Sequence, residues 1–443
     1  MKKHIIVIGG GMAGTAAAYH LKKKGYEVTI VEKNDRLGGR IHSITTDDAT
    51  FEVGAGFITD FYTNVFAFLQ ESGLVEYLQI RKSKAAIVKQ GKLRQVTSIA
   101  SIFGSNLVPF YVKKQLLGEF IKLLLAWHML DMRNLWKASA LDKQSVSEAL
   151  HNKKGQEFVD YLIQPLLDGY CYWSAEKISH TMLLLIFKAA LLPHKTYILK
   201  CGLQRIPEIA AKDSRVLLSH MVTHIKRLSA NEYEITVLAN HKTKKLRANG
   251  IICATTATEV SKMLTLKSKQ KEFFSAIHYS STALVAKTYL LQQKLSNYAI
   301  AYPRKENEIL GAVTIVSDTA HDDKKTVTLV KLYGSGKRGK ELCEKKDDAI
   351  DAQLTKETTL IKALFATSLK PTFRYIQRWK EAIPEFDVGH FQRLHIFANG
   401  EIESKNDNIV FAGDYIGGPF IEGAFTSGMQ AAERLDEKLK KIR

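Results

Sequence analysis

The first forty residues constrain this chain most. Ile5-Ile6-Val7-Ile8 is a short run of β-branched residues, which predicts a buried strand. It leads directly into Gly9-Gly10-Gly11-Met12-Ala13-Gly14, and Thr15–Leu21 then predicts a helix. Val28–Val31 predicts a second strand, ending at Glu32. A G-x-G-x-x-G turn between strand and helix, with an acid roughly 20 residues on, is the pattern that holds a dinucleotide. Gly9 permits the tight turn, Gly11 lets backbone amides approach a pyrophosphate, and Gly14 lets the helix pack on the strand. The helix N-terminus, with the amides of Met12 and Ala13, meets the phosphate charge. Glu32 accepts from ribose hydroxyls, and Lys33 adjoins it. Met1-Lys2-Lys3 before an apolar run imitates a secretory leader, but the glycine cluster interrupts that run and argues against this reading.

Three further segments narrow the choice of dinucleotide. Arg36, Gly38, Gly39 and Arg40 combine a close backbone approach with cations for phosphate oxygens. Phe51–Gly56 reads as a strand ending in the small residues Gly54, Ala55 and Gly56. Near the C-terminus, Asn408–Asp414 reads as a buried strand stopping at Gly413-Asp414. Ile421–Glu433 then opens a helix rich in small residues, Gly423 and Ala424 among them.

Together these segments resemble the flavin-containing amine oxidase superfamily, which includes amine oxidases, protoporphyrinogen oxidases and phytoene-type desaturases. The resemblance covers most of the chain, with its most specific motifs at the two ends. It implies an α/β protein with a Rossmann-like FAD-binding domain and a discontinuous α+β substrate domain. It implies that the first turn binds the FAD pyrophosphate and Glu32 the adenosine ribose. Arg36–Arg40 would lie along the cofactor, Asp414 would meet its ribityl-phosphate part, and Gly423–Gly428 would approach the isoalloxazine. Val222 matches a position that meets adenine. Lys200–Pro207 and Trp379–His390 look like segments of protoporphyrinogen oxidases, although Cys201 replaces a usual glycine. Gly423–Gly428 and Lys287 look more like amine oxidases, in which a lysine holds a water beside flavin N5. An exposed strand lysine is the competing reading of Lys287.

The chain has 443 residues, enough for two or three domains. The FAD-binding domain is expected from 1–75, 200–265 and 385–443. A helical part of the substrate domain is expected over 76–199. A sheet-containing part is expected over 266–384, with a charged helical stretch near 337–362. Tyr170, Tyr172 and Trp173 are expected to line an aromatic pocket, with Phe57, Tyr302, Tyr415 and Phe420 as further lining. No metal site is expected: the four cysteines lack metal-ligand spacing and read as reduced thiols of a cytoplasmic protein. None follows Cys343, so FAD is expected to be held non-covalently.

The net charge of +19 suits an anionic partner. No nucleic-acid-binding motif accompanies it, so nucleic acid is not expected as the partner. Residues 108–127 are apolar with interspersed lysines, and Leu117, Phe120, Ile121, Leu124 and Trp127 share one helical stripe. Such a helix either packs in a core or lies on a membrane surface, which makes peripheral membrane contact the alternative to a free protein. The function expected is FAD-dependent oxidation of a small molecule, with a hydride passing from a C–H bond to flavin N5 and O2 or another acceptor reoxidising the flavin. Two substrate types stay open, a porphyrinogen-like hydrophobe and an amine. A non-redox flavoprotein, isomerase or scaffold, is the alternative from another class.

Overall fold

The computed structural model describes residues 2–96, 109–150, 153–192, 195–292, 294–319, 326–356 and 370–441. Its first body is built on a five-stranded parallel sheet. In spatial order the strands are Arg215–Leu217, Glu27–Val31, His4–Ile8, Gly250–Cys253 and Ile409–Phe411. They come from three separate stretches of chain. Side-chain alternation divides His4–Ile8 between two apolar layers. Ile5 and Val7 pack beneath helices Met12–Lys23 and Ile421–Lys441. Ile6 and Ile8 pack towards the antiparallel meander Met221–Ser229, Glu232–Ala239 and Lys242–Ala248. Ile5, Ile6 and Val7 are fully buried, each contributing about 1.5–3 kcal/mol of apolar transfer. The two helices cross closely, because a Cβ at Gly428 would stand 2.0 Å from the Ala13 carbonyl oxygen.

The second body is built on a mixed seven-stranded sheet. Its order is Phe373–Trp379, Thr282–Leu291, Thr326–Gly334, Leu310–Thr319, Tyr298–Ala301, Lys84–Lys89 and Lys92–Gln95. Lys84–Lys89 runs parallel to Tyr298–Ala301, and the other pairs are antiparallel. The expectation of a mostly helical segment over 76–199 therefore needs correction at its start, where Leu78–Ile80, Lys84–Lys89 and Lys92–Gln95 are strands. The helical body follows, with Phe110–Ala126, Gln164–Cys171 and His180–Leu191 around a core containing Phe158, Trp173 and Phe386. Of the stretch 337–362, helices Gly339–Glu344 and Asp347–Lys356 are present, and 357–362 lies outside the described residues, as does residue 108.

The two faces of the larger sheet have different neighbours. Leu284, Ala286 and Leu329 pack against Phe51 and Val53, part of the Ser43–Thr45/Thr50–Glu52 hairpin and its exit. Ala283, Val285 and Val330 pack against Ile350 and Leu354 of helix Asp347–Lys356. One face thus looks to the first body and the other looks away from it.

Candidate active site

The chain leaves His4–Ile8 towards Glu27–Val31 on one side and reaches Gly250–Cys253 on the other. That reversal places a crevice at the carboxyl end of His4–Ile8, where open α/β sheets bind ligands. Gly9 fills the turn with φ +103°, and a Cβ there would lie 2.7 Å from the Ala254 carbonyl oxygen. A Cβ at Gly14 would fall 1.9 Å from the Gly9 oxygen. At Gly11, by contrast, a Cβ would meet nothing within 4 Å, so open space adjoins the helix start. Helix Met12–Lys23 has no side-chain cap and no acid in its first turn, which leaves its amides to an anion. These are the features a pyrophosphate requires.

Glu32 is buried and organises the same turn. Its Oε2 accepts from the Gly10 N–H at 2.6 Å, and its Oε1 accepts from the Asn34 N–H at 2.9 Å and Asn34 Nδ2 at 2.6 Å. Val222 is buried in the same layer as Val31, next to that strand end. Lys33 points outward and pairs with Glu259 at 3.7 Å.

Both arginines of the second motif are engaged by protein. Arg36 donates to the Leu37, Gly39 and Ile41 carbonyls at 2.8–3.2 Å, which holds the Gly38-Gly39 turn in shape. Arg40 grips Asp414 with both Nη atoms, at 2.7 and 2.8 Å, and donates to the Ala382 carbonyl at 3.0 Å. The fork joins residues 374 positions apart, the kind of planar pairing arginine does best. Nearby, Ala55 N–H donates to the Arg40 carbonyl at 3.1 Å, and a Cβ at Gly54 would overlap that oxygen. Gly413 N–H is held by Ser427 Oγ at 3.0 Å. A Cβ at Gly423 would meet the Gly417 and Gly418 oxygens at 2.5 Å, and Ala424 N–H donates to the Phe420 carbonyl at 3.1 Å. The first turn, Arg36–Arg40 and Gly54–Gly56 from the beginning of the chain thus come together with the Gly413–Ala424 segment from its end.

Phe57, which follows the Gly54–Gly56 exit, meets an aromatic side chain of the helical body. The Tyr170 ring meets Phe57 edge-on at 6.2 Å. Tyr170 is 61% accessible. Tyr172 follows, half-buried and in the left-handed region (φ 58°), with its hydroxyl pushed well up, chiefly by burial. A Cβ at Gly56 would meet nothing within 4 Å, so this strand exit borders open space. Phe420 stacks on Tyr62 at 5.9 Å.

Three expected lining residues lie elsewhere. Trp173 is fully buried in the helical core, its ring 6.3 Å from Phe386. Tyr415 is fully buried beneath the parallel sheet beside Phe274 and Phe411. Tyr302 packs with Leu310, Leu342 and Ile350 on the far face of the large sheet. Each is an aromatic in a chain rich in core aromatics, and its sequence neighbourhood does not report its face.

Lys287 requires the same correction. It is buried on the far face, with Nζ 2.5 Å from Asp351 Oδ1 and 2.9 Å from Thr355 Oγ1. Burial alone would lift the Asp351 carboxyl, but hydrogen bonds from Lys287, Thr355 and Arg374 hold it below its ordinary value. The lysine on the near face is Lys331, opposite Ala286 in the register, with Nζ 3.1 Å from the Glu52 carbonyl and 5.7 Å from the Tyr333 ring centre. Sequence reasoning missed Lys331, Tyr333 and the Trp379 indole, which donates to the Val53 carbonyl at 2.8 Å. Parity along Thr326–Gly334 puts Leu329, Lys331 and Tyr333 on one face, but it does not say which.

A Rossmann-type turn joined by an arginine–acid fork to the chain's other end defines the cofactor side of an FAD-dependent oxidoreductase. The profile of the family described as flavin containing amine oxidoreductase matches residues 12–436, and the chain belongs to that family. It is 23% identical to protoporphyrinogen oxidase 2, chloroplastic/mitochondrial, of Arabidopsis thaliana, over 97% of this chain and 93% of that protein. It is 22% identical to coproporphyrinogen III oxidase of Bacillus subtilis (strain 168), over 89% of each. Among solved structures, cyclohexylamine oxidase from Brevibacterium oxydans IH-35A superposes with a TM-score of 0.73 at 17% identity, covering 99% of this chain and all of that one. The cofactor of this chain is FAD, as its family implies, and the residues around the first turn fit the pyrophosphate through amides and open space.

Proposed function

We propose that this protein oxidises a C–H bond of a hydrophobic, cyclic substrate of the porphyrinogen type. FAD, when bound, supplies the acceptor for a hydride at N5, with O2 or another carrier taking the electrons afterwards. The observation that carries this reading is the edge-on contact of Phe57 with Tyr170, followed in sequence by Tyr172, beside Gly54–Gly56, where a Cβ at Gly56 would meet nothing within 4 Å. These aromatic side chains hold a flat, apolar ring against the strand exit and keep water from it. The Arg40–Asp414 fork pins the two ends of the chain together on the cofactor side, so the amides of the first turn and Gly413–Ala424 keep a fixed spacing. The far-face position of Lys287 removes the lysine argument for an amine substrate. The test is stopped-flow reduction of the FAD-loaded protein, without oxygen, by a porphyrinogen and by simple amines. Rapid flavin bleaching by the porphyrinogen is expected, and bleaching by amines alone would overturn the choice.

We also propose peripheral contact with a membrane surface. Helix Phe110–Ala126 supports it. Phe110, Leu117, Ile121, Leu124 and Leu125 are all exposed on it, Leu125 by 83%. Lys114 and Lys122 flank them, and the helix's one acid, Glu119, is buried against His180 and Lys122. Phe120 and Trp127 turn inward to pack on the helical core. No helix among the described residues is long and apolar enough to cross a membrane, so contact would be in the interface plane. Co-sedimentation with phosphatidylglycerol vesicles should fall at least tenfold in Leu124→Asp/Leu125→Asp. Equal sedimentation of that variant would overturn the contact.

A further inference from the structure

Helix Phe110–Ala126 carries a groove along the side of its exposed apolar face. Tyr111, Lys114, Gln115, Gly118 and Lys122 recur every three or four residues and share one stripe of the helix. They border a hollow of about 260 Å³, with the buried Glu119 at its edge. Gly118 opens it. A Cβ at Gly118 would meet nothing within 4 Å, so no packing contact calls for glycine here, although glycine weakens a helix interior.

From Lys122 the stripe continues through Leu125 and Ala126 to Met129, and its character changes. These apolar residues, with Leu141 and with Leu184 of helix His180–Leu191, wall a second hollow of about 330 Å³. Gln144 and the buried His180 and Thr181 complete it. Lys122 borders both hollows, so the two adjoin. From Tyr111 to Ala126 the helix rises roughly 22 Å. The groove is therefore polar and cationic at one end and apolar at the other, which is the polarity of an amphiphile with an anionic head.

The charges around the cationic end suit such a head. Glu119 is shared by Lys122 at 2.8 Å and His180 at 2.5 Å. Glu157 is shared by Lys89 at 3.5 Å and the Tyr111 hydroxyl. Lys122 keeps 47% of its side chain in solvent. Lys114 lies 5.3 Å from the Phe110 ring centre and, among the described residues, forms no ion pair. We infer that this groove binds one anionic phospholipid, with its phosphate on Lys114 and Lys122 and an acyl chain along Leu125, Met129 and Leu184. A zwitterionic lipid would bring the same chain without the net charge, and a free phosphate would lack the chain. The inference rests on the membrane-contact reading for the source of the lipid and goes beyond it, since an exposed patch meets a bilayer whereas a groove holds a single molecule. It is independent of the oxidoreductase reading.

The test is calorimetric titration of the FAD-loaded protein with lauroyl lysophosphatidylglycerol below its micelle-forming concentration. Saturable binding of one lipid per chain is expected. Lauroyl lysophosphatidylcholine should bind at least tenfold more weakly, and glycerol 3-phosphate not measurably. Gly118→Leu should weaken the lipid at least tenfold by filling the head end, with a circular dichroism spectrum like that of the wild type because leucine favours the helix. Lys114→Glu, a surface change, should weaken it at least fivefold and erase the preference over the choline lipid. Uptake that never saturates, equal binding of the two lysolipids, glycerol 3-phosphate bound as tightly as the lipid, or binding unchanged in both variants would overturn the site. The membrane reading fails on a separate sign, a wild type that takes the lysolipid yet does not sediment with phosphatidylglycerol vesicles.

Discussion

Lys287 and Lys331 stand on adjacent strands one residue out of step. Lys287 lies opposite Val330 and Ala286 opposite Lys331, so the two lysines project to opposite faces. A shift of one residue decides whether a lysine faces the first body or a helix behind the sheet, and a strand-like run of apolar residues around a lysine does not contain that information. The first forty residues differ in this respect, because strand, glycine turn, helix and acid each have a local signature and all four lie within one βαβ unit. The pair with Asp351 makes Lys287 a structural residue. Lys287→Met should lower unfolding stability by about 1–3 kcal/mol, read by denaturant titration, because Asp351 keeps Thr355 and Arg374 but loses its shortest partner. The same variant should bind FAD and turn over as the wild type does. Loss of flavin reduction with unchanged stability would place Lys287 back at the cofactor.

Among the elements, the C-terminal helix carries more than its small-residue start predicts. Glu422 accepts from the Asn64 and Val65 N–H groups at 2.8 and 2.9 Å and so caps helix Thr63–Glu71 from a distance of more than 350 residues. The motif reads in sequence as a cofactor segment, and its capping role is invisible there because the capped helix is so far away. Gly428→Val should destabilise the protein by about 3 kcal/mol, since its side chain would be driven into the Ala13 carbonyl and would part the two helices. Weakened FAD retention should accompany the loss, because helix Met12–Lys23 presents the amides of the first turn. The start of helix His390–Ala398 makes a pH prediction. His390 is fully buried, with its Nε2 on the Tyr415 carbonyl at 2.9 Å and its ring 4.1 Å from Phe386. Burial lowers its pKa to about 3. The folded state therefore binds fewer protons than the unfolded state between pH 6.5 and about 3, and stability falls as pH drops through that window, by up to ~1.4 kcal/mol per pH unit. His390→Gln should flatten this part of a stability–pH curve. A curve as steep as that of the wild type would assign the acid sensitivity to another group.

At the scale of the whole molecule, the site exists only where three distant stretches meet. The five-stranded sheet takes strands from the beginning, middle and end of the chain, and Arg40–Asp414 and Trp379–Val53 tie the second body and the C-terminus to the cofactor side. The α/β class and the FAD turn were legible because their signals are local. The aromatic lining was legible only in part, because Phe57 and Tyr170 meet beside the Gly54–Gly56 exit while Trp173, Tyr302 and Tyr415 are core residues of three different apolar layers. Composition reports aromatics, whereas the packing of two bodies decides which of them line a space. The surface ion pairs that absorb much of the positive charge stabilise little individually, so the fold depends on these apolar layers. The central claim is an FAD site that takes reducing equivalents from a flat, apolar substrate. It is tested most directly by following the visible flavin absorbance of the FAD-loaded protein during anaerobic titration with a porphyrinogen. Stoichiometric bleaching, reversed on admitting air or another acceptor, is the predicted result. A bound flavin that stays oxidised throughout that titration, while a simple amine bleaches it, would contradict the account.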